Sequence, residues 1–292
     1  MGALDGRIAI ITGAGRGIGR EHALLFAAEG AKVVVNDFGG ALDGSATAAT
    51  PAEEVVAEIH AMGAEAVANH DNVADWEGGA RLVACAVEAF GDLHVLVNNA
   101  GILRDRVLVN LSEQDWDAVI NVHLKGHFVP SHHAATYWRE QAKSGRTVKA
   151  SIICTSSTSG LLGNIGQSNY GAAKAGIAAF AMILSEELGR YGVRVNAIAP
   201  AARTRMTEST PGLMDYVVKP GDAAVFDVWD PANISPLVAA LAMEDNGATG
   251  QVFFVQGGTV RKFQNWTMTD TLEKNDRWGV EELAAQLPSL YS

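Results

Sequence analysis

RIAIITGAGRGIG, residues 7–19, decides the fold of this chain, because a short apolar run passes directly into a glycine-rich turn. The run Arg7–Thr12 has the length and β-branched content of a buried strand, and Ile18–Glu29 is long enough for a helix. Glycines between a strand and a helix permit a tight turn and let a phosphate approach the backbone at the helix N-terminus. The stretch therefore predicts a pyrophosphate-binding loop, with a purely structural turn as the alternative.

The alternation of strand and helix continues along the chain. Runs such as Val33-Val34-Val35 are continuously apolar, which is typical of strands buried on both faces of a parallel sheet. The sequence predicts an α/β fold with a doubly wound, Rossmann-like parallel sheet of seven strands in three αβα layers. The predicted strands are Arg7–Thr12, Lys32–Asp37, Ala64–Asn69, Leu93–Asn98, Ala150–Thr155, Arg194–Ala199 and Gln251–Val255. The clearest predicted helices are Ile18–Glu29, Pro51–Met62, Glu77–Phe90 and Asn169–Tyr191.

The chain shows no internal repeat and no second domain boundary. We expect a single domain over residues 1–258, followed by a C-terminal extension, residues 259–292, that packs on it. Residues 201–229 interrupt the alternation with two Pro-Gly pairs, Pro211-Gly212 and Pro220-Gly221, and are expected to form a flap beside the site.

Composition excludes several classes of partner. The net charge of −11 argues against nucleic acid or an anionic membrane as the main partner. Cys85 and Cys154 lie in apolar stretches and are expected to be reduced thiols. No apolar run approaches the roughly 20 residues that span a bilayer, and a strand that starts at Arg7 leaves no room for a signal peptide. We expect a cytoplasmic protein with no membrane partner.

The end of the second strand bears on the choice of dinucleotide. Asp37 follows Gly19 by eighteen residues, where a carboxylate binds the ribose hydroxyls and repels a 2′-phosphate. This favours NAD over NADP, although Arg16 favours a phosphate and Asp37 alone could be a turn residue. Asp71-Asn72-Val73 is placed to bracket adenine, and the Asn98–Gly101 run to pass close to the cofactor. The predicted cofactor contacts are Gly13, Arg16, Gly17, Ile18, Gly19, Asp37, Asp71, Asn72, Val73, Asn98, Ala100, Gly101, Tyr170, Lys174 and Pro200.

A second group of residues indicates acid/base chemistry. Tyr170 and Lys174 are four residues apart, so a helix places both on one face. A free tyrosine has a pKa near ~10, and a neighbouring ammonium group is expected to lower it so that the phenol can act as a base. Ser157 can hold the substrate oxygen, and Asn121 can anchor a water molecule that links Lys174 to solvent.

Together these motifs, in this order, resemble the short-chain dehydrogenase/reductase family over residues 5–258. Within the family, the runs Val33–Asp37, Asn98–Arg106 and Ser168–Lys174 are similar to the (3R)-hydroxyacyl-CoA dehydrogenase domains of peroxisomal multifunctional enzyme type 2, also described as 17β-hydroxysteroid dehydrogenases. The resemblance assigns Ser157 to the substrate, Tyr170 to proton transfer and Lys174 to the nicotinamide ribose. Pro200-Ala201 departs from the family's usual Pro-Gly.

The resemblance implies a small-molecule substrate, a 3-hydroxyacyl-CoA or a hydroxysteroid, whose secondary alcohol is oxidised with NAD. It also implies a homodimer or homotetramer, paired through helices around Ser112–Lys143 and Asn169–Tyr191. An NADPH-dependent ketoreductase and a non-catalytic nucleotide sensor are the alternatives. Four histidines between residues 123 and 133 lack carboxylate or thiol partners at ligand spacing, so no metal is expected.

Overall fold

The structure is a computed structural model and describes residues 2–39, 51–204, 217–222 and 224–291. Within these ranges, eight strands form one sheet in the order β3-β2-β1-β4-β5-β6-β7-β8. The strands are β1 (Ile8–Thr12), β2 (Lys32–Asn36), β3 (Ala66–Asn69), β4 (Val95–Asn98), β5 (Ala150–Thr155), β6 (Val193–Pro200), β7 (Val252–Gln256) and β8 (Thr259–Lys262).

The first seven strands pair in parallel, as the sequence predicts. The eighth was not predicted, and it pairs antiparallel with β7. The chain reverses next to Gly257, whose φ of +51° is a conformation that favours glycine. All four β8 residues are exposed, so this edge strand lacks the apolar run by which the other strands are found.

Helices cover both faces of the sheet. They are α1 (Gly17–Ala28), α2 (Pro51–Ala61), α3 (Trp76–Phe90), α4 (Glu113–Ile120), α5 (Gly126–Lys143), α6 (Thr158–Leu161), α7 (Ser168–Leu188), α8 (Ser235–Ala242) and α9 (Val280–Gln286). A π-helical turn, Asn121–Lys125, joins α4 to α5. Short 3₁₀ helices span Leu108–Asn110, Gly189–Tyr191, Pro231–Ile234 and Leu287–Leu290.

The core lies in two layers, one on each face of the sheet. Along β1, Ala9 and Ile11 pack with α1 and α2, whereas Ile8 and Ile10 pack with α3 and α5 on the other face. Successive strand residues point to opposite faces, so a strand buried on both sides must be apolar throughout. This explains the continuous apolar runs and confirms the three-layer arrangement.

β1 and β4 are adjacent in the sheet although β2 and β3 separate them in sequence. The order in which successive strands are added to the sheet reverses between β1 and β4. The loops that follow these two strands therefore lead to opposite sides and leave a crevice between them. The crevice at the carboxyl ends of the strands is therefore where the fold places a ligand.

Parts of the predicted flap and extension are described. Residues 205–216 and 223 of the flap lie outside the described residues. Residues 264–271 of the extension are exposed throughout, with Trp266 82% and Met268 98% exposed. The prediction that the extension packs on its own domain stays a prediction, to which this exposed stretch adds no support. Among the described helices, none combines the length and apolar character required to cross a bilayer.

Candidate active site

A cleft of about 750 Å³ opens at the carboxyl ends of the strands. Its size falls in the range of small-molecule sites. The predicted residues that line it are Gly13, Arg16, Gly17, Ile18, Gly19, Asp37, Asp71, Asn72, Val73, Ala100, Gly101, Ser157, Tyr170, Lys174 and Pro200. Two predicted residues, Asn98 and Asn121, are not among its lining residues.

The glycine-rich loop closes tightly against the end of β4. Gly13 has a φ of +62°, and a Cβ on it would lie 2.7 Å from the Ala100 Cα. A Cβ on Gly19 would lie 2.2 Å from the Gly13 carbonyl oxygen. Larger residues at either position would therefore force the loop away from the sheet. With glycines, the N-terminus of α1 faces the cleft, and the loop fits a pyrophosphate.

Asp37 is fixed just beyond the end of β2. One carboxylate oxygen accepts a hydrogen bond from the Gly15 N–H at 2.9 Å, and the other accepts one from the Gly39 N–H at 2.8 Å. Two backbone donors hold the carboxylate in place, and each of its oxygens retains lone pairs for further donors. A ribose with two free hydroxyls fits this acceptor, whereas a 2′-phosphate meets its negative charge.

The predicted adenine contacts lie after β3 at the same end of the cleft. Asp71 is held by Arg81, whose Nε donates to its carboxylate at 2.7 Å, and by the Asn69 amide at 2.9 Å. The Asn72 side chain accepts from the Ala74 N–H at 2.9 Å, and Val73 is buried. These hydrogen bonds hold Asp71 and Asn72 in place. This side of the cleft therefore has two polar residues and one apolar residue, Val73.

Asn98 does not have the predicted position beside the cofactor site. It is fully buried, and its Nδ2 donates to the Ser131 Oγ on α5 at 2.9 Å. The neighbouring Asn99 lines the cleft instead. Its Nδ2 donates to the Thr12 and Gly13 carbonyl oxygens at 3.1 and 3.2 Å, and so ties the glycine-rich loop to β4.

Thr12 is a second residue that the sequence prediction missed. Its Oγ1 accepts from the backbone N–H groups of Asn99 at 2.9 Å and Ala100 at 3.1 Å. The hydroxyl joins the ends of β1 and β4 across the point where the strand order reverses. The sequence feature that could have predicted this role is a threonine directly before Gly13, the first glycine of the loop.

Ser157, Tyr170 and Lys174 meet in the cleft as predicted from their spacing. Ser157 lies just past β5, where its Oγ accepts from the Ser159 N–H at 3.2 Å, and its side chain lines the same cleft as Tyr170. Tyr170 and Lys174 share a face of α7, with the Lys174 Nζ 5.4 Å from the centroid of the Tyr170 ring. The Lys174 Nζ donates to the Thr155 carbonyl oxygen at 2.6 Å. Inside the protein, the ammonium group is thus bound to the end of β5 and not to the phenol.

The predicted effect of Lys174 on the acidity of Tyr170 is wrong for the chain by itself. Burial raises the pKa of Tyr170 to about 12, and the neighbouring Ser157 side chain, which lowers this pKa, only partly offsets the effect. The nearby Asp105 carboxylate raises the Tyr170 pKa further. Burial also lowers the pKa of Lys174 to about 7, because the charged ammonium group loses its hydration. In the chain by itself, the Tyr170 phenol is thus less acidic than a free tyrosine.

Asn121 begins the π-helical turn, and its side chain is exposed. Its predicted role as a water anchor therefore rests on the family resemblance alone. His123 and His127, from the cluster considered for a metal, are buried instead. Among the described residues, no group of three or more histidine, cysteine or acidic side chains is arranged to hold a metal ion.

Comparison with known proteins identifies a matching family and similar relatives. Residues 7–212 match the profile of the family described as short chain dehydrogenase. The chain is 44% identical over 260 residues to the hydroxyacyl-CoA dehydrogenase ChsB1 of Mycobacterium tuberculosis, a match that covers 88% of this chain and 79% of that protein.

Two further matches extend the comparison. The chain is 47% identical over 247 residues to peroxisomal multifunctional enzyme type 2 of Drosophila melanogaster, a match that covers 84% of this chain but only 38% of that much longer protein. The crystal structure of a short chain dehydrogenase from Mycobacterium avium superposes with a TM-score of 0.88 at 50% identity, and the match covers 99% of this chain and 95% of the other.

Proposed function

The chain belongs to the short-chain dehydrogenase family, and from this premise we propose that it oxidises the secondary alcohol of a 3-hydroxyacyl-CoA with NAD⁺ as the hydride acceptor. The family makes it an oxidoreductase that acts on CH–OH groups and uses a nicotinamide cofactor. The substrate, the choice of NAD and the residue roles are our proposals.

One observation carries the proposal. The pair of Ser157 and Tyr170 lies in the same cleft as the glycine-rich loop and Asp37. A dinucleotide with its pyrophosphate at the loop and its adenosine ribose at Asp37 extends toward this pair. The intact pair also argues against a nucleotide sensor that has lost its chemistry.

The chain's own residues then have distinct tasks. Ser157 donates a hydrogen bond to the substrate oxygen and holds the carbinol carbon in position. The Tyr170 hydroxyl, once ionised, accepts the alcohol proton as the carbon becomes a ketone. When bound, an oxidised nicotinamide supplies the hydride acceptor and a positive charge beside Tyr170. By the family resemblance, Lys174 binds the nicotinamide ribose.

The substrate proposal is supported by the relatives and by the cleft. ChsB1 is described as a hydroxyacyl-CoA dehydrogenase, and the substrate side of the cleft includes the apolar side chains of Leu103, Leu162 and Trp229. These side chains suit an acyl chain, and they also suit a steroid, which is the second candidate.

A panel of substrates tests this choice. We expect NAD⁺ reduction, followed by NADH absorbance, to be faster in kcat/KM with (3R)-hydroxyacyl-CoA thioesters than with hydroxysteroids or short free alcohols. Higher kcat/KM with hydroxysteroids would show that the substrate is a hydroxysteroid and would contradict the acyl-CoA assignment. No reduction of NAD⁺ or of NADP⁺ with any member would contradict both.

NAD preference is proposed on the strength of Asp37. An NADPH-dependent ketoreductase is the alternative, because the exposed Arg16 also lines the cleft and is able to pair with a phosphate. The carboxylate is held by two backbone donors, so it cannot swing away from a 2′-phosphate as easily as a surface arginine can swing toward one.

Asp37→Asn tests this assignment. The substitution keeps one acceptor oxygen and the side-chain shape but removes the charge. We expect the ratio of kcat/KM for NAD⁺ over NADP⁺ to fall by about tenfold or more, as is typical for loss of a charged hydrogen-bond acceptor. An Arg16→Gln variant is the companion, and should change NADP⁺ kinetics more than NAD⁺ kinetics. An NADP⁺ preference in the unaltered chain would overturn the assignment.

Homodimeric or homotetrameric assembly and a cytoplasmic location stay predictions. The exposed aromatic side chains of Trp76 and Phe128 lie next to each other on α3 and α5, with ring centroids 6.0 Å apart. They support the expectation that this side of the domain pairs with another subunit.

A further inference from the structure

Arg203 and Asp227 form a largely buried ion pair behind the wall of the proposed active site. Their side chains are only 15% and 14% exposed, and neither lines the cleft. The two terminal nitrogens of the guanidinium group each donate to a different carboxylate oxygen, so the contact is two-pronged. Withdrawing two charges from water costs free energy that their attraction regains only in good geometry. The pair therefore needs an explanation in what it holds in place.

Arg203 contacts the main chain of two later segments of the predicted flap. It follows the end of β6 by three residues. Its Nη1 also donates to the Val217 carbonyl oxygen at 3.0 Å, fourteen residues further along the chain. Its own N–H donates to the Trp229 carbonyl oxygen at 2.6 Å. Arg203 thus ties the chain that leaves β6 to Val217 and to Trp229.

Asp227 fixes the Trp229 segment from the other side. Its Oδ1 accepts from the Trp229 N–H at 3.1 Å, and its carbonyl oxygen accepts from the Asn233 Nδ2 at 2.8 Å, just before α8. The hydrogen bond from Arg203 lowers the pKa of Asp227, so the carboxylate is ionised near neutral pH. Both polar groups of the Trp229 main chain are therefore bonded to members of the ion pair.

The residues that the pair holds line the cleft. Val217 and Trp229 both belong to its wall, and Val217 is only 2% exposed. Strand β6 is adjacent to β5, and the Ser156 N–H donates to the Ile198 carbonyl oxygen of β6 at 2.7 Å. The chain that leaves β6 therefore runs beside the segment that carries Ser157, which places the Trp229 wall on the substrate side of the cleft.

From these contacts we infer that Trp229 limits the size of the acyl group that the cleft accepts, and that Arg203 and Asp227 are positioning residues that hold Trp229 in the wall. The inference rests on the proposed function for the identity of the substrate but not for the contacts themselves. The site residues predicted from the sequence include none of these three.

Trp229→Ala tests the first part of the inference. Removal of the indole ring leaves space for additional methylene groups, and one methylene group in a hydrophobic pocket changes kcat/KM by about tenfold or more. We expect the ratio of kcat/KM for (3R)-hydroxyhexadecanoyl-CoA over (3R)-hydroxybutanoyl-CoA to rise by about this factor. An unchanged ratio would show that Trp229 does not limit the acyl group.

Asp227→Asn tests the second part, with Glu244→Gln as the matched control. Both substitutions turn a paired carboxylate into an amide. Glu244 accepts from the Lys149 Nζ at 2.6 Å next to the start of β5, at the end of the sheet opposite the cleft. We expect Asp227→Asn to raise the ratio and the KM for (3R)-hydroxybutanoyl-CoA, with kcat nearly unchanged. Glu244→Gln should change neither.

Arg203→Lys provides a second variant of the pair. Lysine keeps the charge but lacks the planar fork that binds both carboxylate oxygens, so the ratio should rise here too. A merely structural role would lower kcat/KM for both thioesters alike and leave the ratio in place. An unchanged ratio in both variants of the pair, or an equal change in Glu244→Gln, would overturn the positioning role.

The double variant shows whether the pair acts through the indole ring. If Asp227 works by holding Trp229, Asp227→Asn should add little to the ratio once Trp229→Ala is present, because coupled residues are not additive. A full, independent effect of Asp227→Asn in that background would contradict the proposed connection.

A readout without turnover separates the inference from the proposed function. The chain has six tryptophans, and labelling with 5-fluorotryptophan, with Trp229→Phe as reference, assigns the Trp229 signal by fluorine NMR. We expect this signal to shift in Asp227→Asn and to stay in place in Glu244→Gln. An unaltered chain that oxidises no thioester would contradict the proposed function, while an unmoved Trp229 signal in Asp227→Asn would contradict the positioning role.

Discussion

Tyr170→Phe is expected to reduce turnover by about 10²- to 10⁴-fold, the usual contribution of a positioned acid/base group. The substitution removes one oxygen atom and keeps the ring that packs against His123. Because the dinucleotide is proposed to bind through the glycine-rich loop and Asp37, the affinity for NADH should change little. Steady-state kcat with the best thioester and a fluorescence titration with NADH measure the two quantities.

Tyr191→Phe is the control for this experiment. Tyr191 follows α7 in a 3₁₀ turn and does not line the cleft. The same chemical change there should leave kcat unaltered. Turnover by Tyr170→Phe close to that of the unaltered chain would remove Tyr170 from the chemistry, whatever its position.

The stability of the protein is expected to fall steeply as the pH drops below about 6.5, the usual histidine pKa. His22, His123 and His127 are buried. Burial lowers the pKa of His22 and of His127 to about 3 and holds the pKa of His123 well below its usual range. In this window the unfolded chain binds three protons that the folded chain does not. The three buried neutral histidines contribute fully to the stability of the folded state above the pKa of histidine in the unfolded chain. This contribution is lost as the pH falls toward their lower folded-state pKa.

Three such groups change the free energy of unfolding by about 4 kcal/mol per pH unit within this window. Urea unfolding at about pH 7 and about pH 5.5 measures the change. His22→Gln removes one of the three imidazoles and should reduce the slope by about a third. Equal unfolding free energies at the two pH values would show that these histidines are not kept neutral by the fold.

The strand and helix order and the main site residues could be predicted from sequence because each rests on local patterns. A continuous apolar run marks a doubly buried strand, and the four-residue interval of Tyr170 and Lys174 marks a shared helix face. The glycines of residues 13–19 reflect close backbone approach, which the structure confirms at Gly13 and Gly19.

What could not be predicted depends on contacts distant in sequence. Successive residues point in opposite directions at the end of a strand, so whether Asn98 or Asn99 faces the cleft depends on where β4 ends. The high pKa of Tyr170 results from burial by several elements that are distant in sequence. The four-residue spacing indicated only that the Lys174 ammonium group lies nearby, and so predicted a lowered pKa. The burial of His123 depends on the π turn, which has no sequence pattern of its own.

Transfer of deuterium tests the central claim most directly. A (3R)-hydroxyacyl-CoA labelled with deuterium on its carbinol carbon is incubated with NAD⁺ and the protein, and the reduced dinucleotide is analysed by mass spectrometry. We predict that the unaltered chain places one deuterium on the nicotinamide and that Tyr170→Phe does so far more slowly. Unlabelled NADH from the labelled substrate, or equal transfer by both proteins, would contradict the account.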